Sequence, residues 1–375
     1  MNIKAVFLLI AASFLHLFAA ADDVTPRKGG VAYIPADSVS VEDVFFSRLL
    51  SEYMGDDSTM RARPVALTEE SRAALVADSV AWNRDVAANL TLWGETSVPA
   101  IDNMYTAARM FLVDPSYRYA DMVERTLYNG VLAGLDSTAD AVSRRNAAQA
   151  VLDAVGMTYA ASGSDVYINL FYRNKAYVRN DSVDMVILQN TSSPWKGDVF
   201  FAMKFESPAQ YMRLHIRLPG WLRGEVSQGG RYIFDRTREF YQVMVNGSPL
   251  TVRAVDGYIV LDRVWKSDDV VRISMKTPVR RIRENSASGK GRFALQRGPI
   301  VYAYCGNETS RFFRASDAVG TSYDNEVLHT NMLVAKIYSS RTPGNETPWD
   351  CYLLPYYVLP SAKGSEKSVW LDEIE

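Results

Sequence analysis

The amino-acid sequence predicts a mainly β protein in which a helical segment precedes antiparallel β-sandwich layers. From residue 166 onward the hydrophobic period is two, as in Met212–Leu218, where apolar residues alternate with Arg, His and Arg. A strand that buries one face has this period. Asn246-Gly247 separates two β-rich runs, which is the pattern of a tight hairpin. Between residues 68 and 159 the apolar residues instead recur at helical spacing, which predicts a group of amphipathic helices.

Four helices are predicted from this spacing before the first strand. They are Thr68–Asn89, Pro99–Val113, Tyr117–Leu132 and Ser143–Tyr159. A short turn at residues 160–165 follows the fourth helix, and the first strand is predicted at Val166–Tyr172. Because so short a turn keeps the helix beside the sandwich, we expect Val151, Leu152 and Val155 to face protein rather than water.

The N-terminal residues and the overall charge indicate where the protein acts and which partners it lacks. Met1–Ala21 has one lysine, an apolar run and small residues before the cleavage point, so it is predicted to be a signal peptide. No second apolar run has the length of a membrane span. The net charge of −2 gives no basic field for nucleic acid. We therefore expect an exported protein, periplasmic or secreted, with neither a membrane span nor a nucleic-acid partner.

Two cysteines, Cys305 and Cys351, are the only thiols in the sequence. They either form a disulfide in an oxidising compartment or are two small buried apolar side chains, and the sequence leaves both alternatives open. Together with three histidines they are too few for a structural zinc cluster.

A series of short phrases in the second half of the chain resembles one enzyme family. The phrases are Ser193–Gly197, Leu214–Leu222, Val245–Gly247, Gly257–Asp269, Pro278–Arg280 and Gly291–Tyr302. In this order and spacing they resemble the non-catalytic β region of glycoside hydrolase family 127, the β-L-arabinofuranosidase-like family of DUF1680 type. The resemblance extends from about Trp93 to the end and is most faithful after Val166.

This resemblance implies a domain organisation. The expected fold is mainly β with an α-helical remnant: two C-terminal β-sandwich domains preceded by a partial (α/α) barrel segment. The expected order is a signal peptide, a poorly defined and helical N-terminal segment, a remnant of the family's (α/α)6 catalytic barrel, a middle β-sandwich and a C-terminal β-sandwich. Their boundaries are 1–21, 22–92, 93–163, 164–283 and 284–375. Because the family places many more residues ahead of its sandwiches, we expect a truncated barrel.

The resemblance also implies a chemistry, most of which this sequence does not retain. Family members resemble one another in a zinc site made by a Glu-Thr-Cys triplet and a Cys-Cys pair, with one thiolate as nucleophile and a separate glutamate as acid/base. The triplet here reads Glu95-Thr96-Ser97, and the pair falls at Val142-Ser143. No glutamate lies between Glu70 and Glu95, where the acid/base residue would be expected. Glu95 is thus the single retained catalytic candidate. No metal ligand or other cofactor-binding residue is assigned, and the ancestral zinc site is predicted to be lost.

Each candidate has a structural alternative. Glu95 also suits the start of a helix, where carboxylates are favoured, and Ser97 and Ser143 also suit helix caps. Four tryptophans either stack on sugar rings or fill core space, the latter being the commoner role. They are Trp195, Trp221, Trp265 and Trp370. The arginines of 280–283 are predicted to form a solvated strand end.

These observations lead to a functional expectation with one rival. The chain is expected to be an exported family-127-like protein of the β-L-arabinofuranosidase lineage, associated with arabinose-containing plant-type glycans and lacking the ancestral zinc–thiolate activity. The alternative is a non-catalytic carbohydrate-binding or structural β-sandwich protein. The sequence leaves open whether it is an enzyme, and it identifies neither the sugar, the linkage nor the oligomeric state.

Overall fold

The computed structural model describes residues 30–43, 46–47, 60–81, 97–135, 139–236, 238, 240–286, 291–306, 312–324, 330–342, 347–358 and 366–374. The predicted signal peptide and Glu95 lie outside these residues, so both stay predictions. Among the residues described, no helix is both long enough and apolar enough to cross a bilayer.

Five α-helices occur in the described residues. They are α1 (Glu69–Ala81), α2 (Ser97–Val113), α3 (Tyr117–Thr126), α4 (Ala141–Val155) and α5 (Gly220–Arg223). A π-turn at Leu127–Val131 and a 3-10 turn at Leu132–Leu135 extend α3. The four predicted helices therefore all exist, although the last eight residues of the predicted Thr68–Asn89 helix lie outside the described part.

The end of the fourth helix was predicted wrongly. α4 ends at Val155, and Tyr159–Ser162 is already a strand that pairs with Asp165–Ile168 in a tight hairpin. Tyr159, Ala160 and Ala161 are all buried. A strand buried on both faces shows no polar alternation, so its sequence cannot be told from a continuing helix by periodicity.

The strands follow in chain order. They are β1 (Ala32–Tyr33), β2 (Val39–Val41), β3 (Tyr159–Ser162), β4 (Asp165–Ile168), β5 (Asn174–Arg179), β6 (Asp184–Thr191), β7 (Asp198–Phe205), β8 (Gln210–Arg217), β9 (Tyr232–Phe234), β10 (Tyr241–Val245), β11 (Ser248–Leu250), β12 (Tyr258–Trp265), β13 (Val270–Met275), β14 (Val279–Glu284), β15 (Arg292–Arg297), β16 (Ile300–Gly306), β17 (Phe312–Arg314), β18 (Gly320–Asp324), β19 (Thr330–Ile337), β20 (Trp349–Pro355), β21 (Glu366–Ser368) and β22 (Leu371–Ile374).

Two of the three sheets form the middle β-sandwich. The first has the order β1-β3-β4-β8-β12 and the second β11-β10-β13-β7-β6-β5-β2. Leu214 and Ile216 of the first sheet share one buried cluster with Ile187, Val199 and Val271 of the second. The alternation in β8 therefore buries the apolar face, as its sequence predicts. The Asn246-Gly247 hairpin between β10 and β11 is also confirmed, since both turn residues have the positive φ of a type I′ turn.

The third sheet has ten strands and supports the helices. Its main path is β17-β22-β15-β16-β20-β19-β18, with β14, β9 and β21 paired to it outside that path. Leu295, Ile300 and Leu333 from this sheet share a second buried cluster with α2, α3 and α4. Val151 and Val155 of α4 are buried and Leu152 is half-buried, so the expectation that α4 faces protein is confirmed. The mainly β fold with a helical segment is confirmed as a whole.

Two side-chain predictions in this region have different outcomes. Trp221 and Trp265 are buried core residues, as expected for tryptophans in a sandwich. Arg280, in contrast, is not a solvated strand end: it is buried, donates to the Trp221 carbonyl at 2.5 Å and places its guanidinium 3.7 Å from the Phe234 ring centre. β9 pairs with β14 and covers this arginine, and no local sequence pattern predicts β9.

Of the two alternatives for the cysteines, the disulfide does not form. Cys305 and Cys351 are both free, and Cys351 is buried. Burial raises the pKa of the Cys351 thiol to about 12.

Candidate functional site

The positions where the resemblance places the cysteine pair form the first turn of α4. Asp140 caps this helix: its Oδ1 accepts hydrogen bonds from the backbone N–H groups of Val142 (2.9 Å) and Ser143 (3.0 Å). The Ser143 hydroxyl donates to Asp140 Oδ2 at 2.6 Å. These hydrogen bonds, that from the Ser143 hydroxyl first, lower the pKa of the Asp140 carboxyl. The segment is thus a capped helix start, and Val142 is 68% exposed.

A zinc–thiolate site does not fit these residues. The Val142 side chain has no lone pair to give a metal, and the Ser143 hydroxyl is a neutral oxygen that is a far weaker zinc ligand than a thiolate and donates its proton to Asp140. Ser97 is the first residue of α2, and Glu95 lies outside the described residues. Elsewhere in the described ranges, no three His, Cys, Asp or Glu side chains are placed to hold one metal ion.

Within the described part of the chain, a group of buried charged side chains lies between α3 and the middle sandwich. Arg217 at the end of β8 is 0% exposed and donates to both Glu124 oxygens, at 2.6 and 3.2 Å, and to Asp121. Arg223 of α5 donates to the other Asp121 oxygen at 2.7 Å. We call these four residues, Asp121, Glu124, Arg217 and Arg223, the interface cluster. It borders a narrow cleft that Gln296 and Pro299 of the third-sheet region also line.

The interface cluster holds layers together and does not present free carboxylates. Burial raises the pKa of Glu124, and the positive charge of Arg217 opposes that effect. A carboxyl with a raised pKa is a candidate acid, but Arg217 occupies the space where a substrate oxygen would have to lie. Both Asp121 oxygens are likewise bound to arginines. The geometry therefore docks α3 on the sandwich instead of forming an acid/base pair.

A histidine–carboxylate pair lies on the outer face of the five-stranded sheet. His215 Nε2 is 2.7 Å from Asp165 Oδ1, and Arg213 binds the other Asp165 oxygen at 2.5 Å. The Tyr167 ring stacks on the imidazole with centroids 4.4 Å apart. His215 is on the polar face of its strand, as the sequence predicts. The hydroxyl of Ser143 binds Asp140 and not this histidine, so the structure assembles no Ser-His-Asp arrangement from these residues.

A groove on the outer face of the seven-stranded sheet is the feature that sequence reasoning missed. It has a volume of about 470 Å³ and is open to solvent. We call it the sheet groove. The side chains that line it and point outward are Glu42, Arg173, Leu188, Asn190, Phe200 and Ala202. These residues come from four strand regions, so their proximity depends on strand register. The one sequence feature that could have indicated the groove is Phe200, an aromatic residue at an outward position of β7.

Comparisons with known proteins give the family. The GH127 middle domain of β-L-arabinofuranosidase matches residues 165–277, and the GH127 catalytic domain matches residues 81–147. The non-reducing end β-L-arabinofuranosidase of Bifidobacterium longum subsp. longum is 26% identical, over 60% of this chain and 37% of that protein. A solved GH127 β-arabinofuranosidase superposes with a TM-score of 0.65 at 29% identity, covering 75% of this chain and 49% of that one.

A GH127 β-L-arabinofuranosidase from Geobacillus stearothermophilus T6 has the same fold, with a TM-score of 0.62 at 19% identity over 92% of this chain and 61% of that structure. The chain thus spans between 37% and 61% of the length of these relatives. The fold, with helices docked on a β-sandwich and a further large sheet, is thus similar to that of solved GH127 β-arabinofuranosidases. The chain belongs to glycoside hydrolase family 127, the β-L-arabinofuranosidase-like family.

Proposed function

We propose that this chain is an exported family-127 protein that associates with arabinose-containing, plant-type glycans without the zinc–thiolate hydrolysis implied by the family resemblance. The names of its relatives support the sugar class, and Met1–Ala21 supports export to the periplasm or the medium. The observation that supports the loss of activity is the capped start of α4, because the family resemblance assigns Val142 and Ser143 to the positions of the cysteine pair.

The proposed loss follows from the donor chemistry at these positions. A thiolate nucleophile needs a sulfur whose pKa a metal can lower, and neither a valine nor a serine supplies one. Ser143 could act as a nucleophile only if a base removed its proton. Its partner Asp140 has a lowered pKa, which makes that carboxylate a weak base near neutral pH. The α4 start therefore offers no replacement for the thiolate.

The alternative of a non-catalytic carbohydrate-binding protein is compatible with this proposal. The sheet groove favours it, because an exposed aromatic ring beside free polar side chains is a suitable surface for sugars. A hydrolase using another mechanism would need two carboxylates facing an open cleft, whereas those of the interface cluster are bound to arginines. We therefore place glycan binding ahead of cleavage.

The test is an activity assay with its metal content measured. Purified full-length chain, with and without added zinc, is incubated with an aryl β-L-arabinofuranoside alongside an active family-127 enzyme as the positive control. We expect no turnover and no stoichiometric zinc by elemental analysis. Turnover that a chelator abolishes, together with about one zinc per chain, would refute the proposed loss of activity. Fractionation of cells expressing the chain with and without residues 1–21 tests export separately.

A further inference from the structure

A continuous row of outward side chains crosses the seven-stranded sheet at right angles to its strands. Asn190 of β6 lies opposite Phe200 of β7, and Phe200 lies opposite Arg272 of β13. On the other side, the Glu42 N–H donates to the Arg173 carbonyl at 2.9 Å, which places the segment after β2 beside the start of β5. With about 4.8 Å between neighbouring strands, the four steps from β2 to β13 make a row of roughly 19 Å.

The aromatic member of this row is held in place. Phe200 is 38% exposed, and the Arg272 guanidinium lies 5.2 Å from its ring centre. Arg272 is itself fixed by an ion pair with Asp198 at 3.4 Å. Leu188 and Ala202, both half-buried, form the floor beside the ring. A ring supported in this way loses little conformational freedom when a flat apolar surface stacks on it.

The remaining members of the row have unused hydrogen-bonding capacity. Glu42, Arg173 and Asn190 are exposed, and none of their side chains makes a hydrogen bond or ion pair with another described residue. They offer a carboxylate acceptor, a guanidinium donor fork and an amide that both donates and accepts. The charges of Glu42 and Arg173 cancel, as do those of Arg272 and Asp198. The row is therefore polar but close to neutral.

We propose that the sheet groove is a binding site for a neutral oligosaccharide, whose ring C–H face stacks on Phe200 and whose hydroxyl groups bond to Asn190, Arg173 and Glu42. This inference rests on the proposed function for its sugar class, an arabinose-containing glycan, and adds the place where the glycan binds. The row has no net positive charge, which disfavours nucleic acid or an anionic membrane as the ligand of the groove. The small apolar area, one ring and two floor residues, disfavours a permanent protein interface.

The experiment measures binding of an L-arabinofuranose oligosaccharide to the full-length chain by titration calorimetry, with a xylo-oligosaccharide of equal length as the comparison ligand. We expect saturable binding of the first ligand, weakened about tenfold by Phe200→Ala, a loss of ~1.4 kcal/mol. Phe200→Trp should retain binding, because it keeps a ring at the same place. Asn190→Ala, an exposed change with no folding role, should weaken binding several-fold. Tyr352→Ala, which removes an exposed ring from the third sheet, is the matched control and should change nothing.

The outcomes separate this inference from the proposed function. Binding by the wild-type chain that all groove variants retain would mean that the glycan binds elsewhere, which overturns the groove site and leaves the proposed function standing. Absence of binding to any arabinose-containing glycan would refute glycan association as well. A wild-type dimer that Phe200→Ala dissociates, without a change in glycan binding, would identify the groove as a contact between two copies and would also overturn the inference.

Discussion

Removal of the buried guanidinium of Arg217 should strongly lower the stability of the protein. Arg217→Met keeps a side chain of similar length and removes the charge from a position that is 0% exposed. Asp121 still has Arg223 as a partner at 2.7 Å after the change. Glu124 does not, and its side chain is only 6% exposed. The perturbation therefore leaves one buried carboxylate without its counter-charge.

The magnitude follows from that unpaired carboxylate. Breaking a buried ion pair by removing one partner costs about 3–5 kcal/mol, a large fraction of the stability of an ordinary domain. Burial already raises the pKa of Glu124, and without Arg217 nothing of comparable strength opposes it. A group whose folded pKa lies above its unfolded value contributes stability at low pH and loses it as the pH rises through the folded pKa. The loss caused by Arg217→Met should thus be smaller at pH 5 than at pH 8.

Urea unfolding followed by circular dichroism at both pH values is the assay. Arg179→Met is the matched control, because Arg179 also binds a carboxylate, Asp184 at 2.9 Å, but is 72% exposed and should contribute little. The double variant Arg217→Met, Glu124→Leu should recover much of the loss, since no buried charge is then left unpaired. An Arg217→Met protein within about 1 kcal/mol of wild type at both pH values would refute this account of the interface cluster.

Three further predictions concern packing, the connection between β14 and β15, and a thiol. Val151→Asp should destabilise the protein by about 3 kcal/mol or more, because it buries an unpaired charge. Leu152→Asp, at the half-buried neighbouring position, should destabilise it less. Thermal melts of the two variants measure the difference. Limited proteolysis should cut within residues 285–291, which connect β14 to β15, before it cuts any paired strand; first cleavage inside β8 would contradict this prediction. Cys351, with its pKa raised to about 12, should resist iodoacetamide at pH 8 until the protein is unfolded; rapid alkylation of the native protein, read by mass spectrometry, would contradict its burial.

The success of the sequence prediction depended on whether a pattern was local. The alternation of Met212–Leu218 and the Asn246-Gly247 turn each lie within a few residues, and the buried apolar face and the turn were both predicted correctly. Arg217, on the polar face of that strand, is nevertheless buried beside α3. The strand at Tyr159 was missed because burial on both faces removes the alternation. The sequence places Arg280 in solvent because β9, which covers it, begins at Tyr232, 48 residues earlier in the chain.

The candidate sites show the same limit. The family resemblance assigns Val142 and Ser143 to the cysteine pair from the sequence alone, but the cap by Asp140 required the structure. The sheet groove could not be predicted at all, since Asn190 and Phe200 become neighbours only through strand register.

The two short N-terminal strands have a consequence for how this chain can be divided or made. β1 and β2 close one edge of each sheet of the middle sandwich, and their partners Ala161 and Ala176 are synthesised about 130 residues later. A fragment limited to residues 165–277, as similarity to the family's middle domain suggests, would lack these strands and β3. Both sheets would then expose unpaired backbone edges, which recruit other chains and promote aggregation. During translation β1 and β2 are made first and stay unpaired until β3 and β5 emerge and the long loop between the partners closes. Until then their backbone N–H and C=O groups are free to pair with other chains.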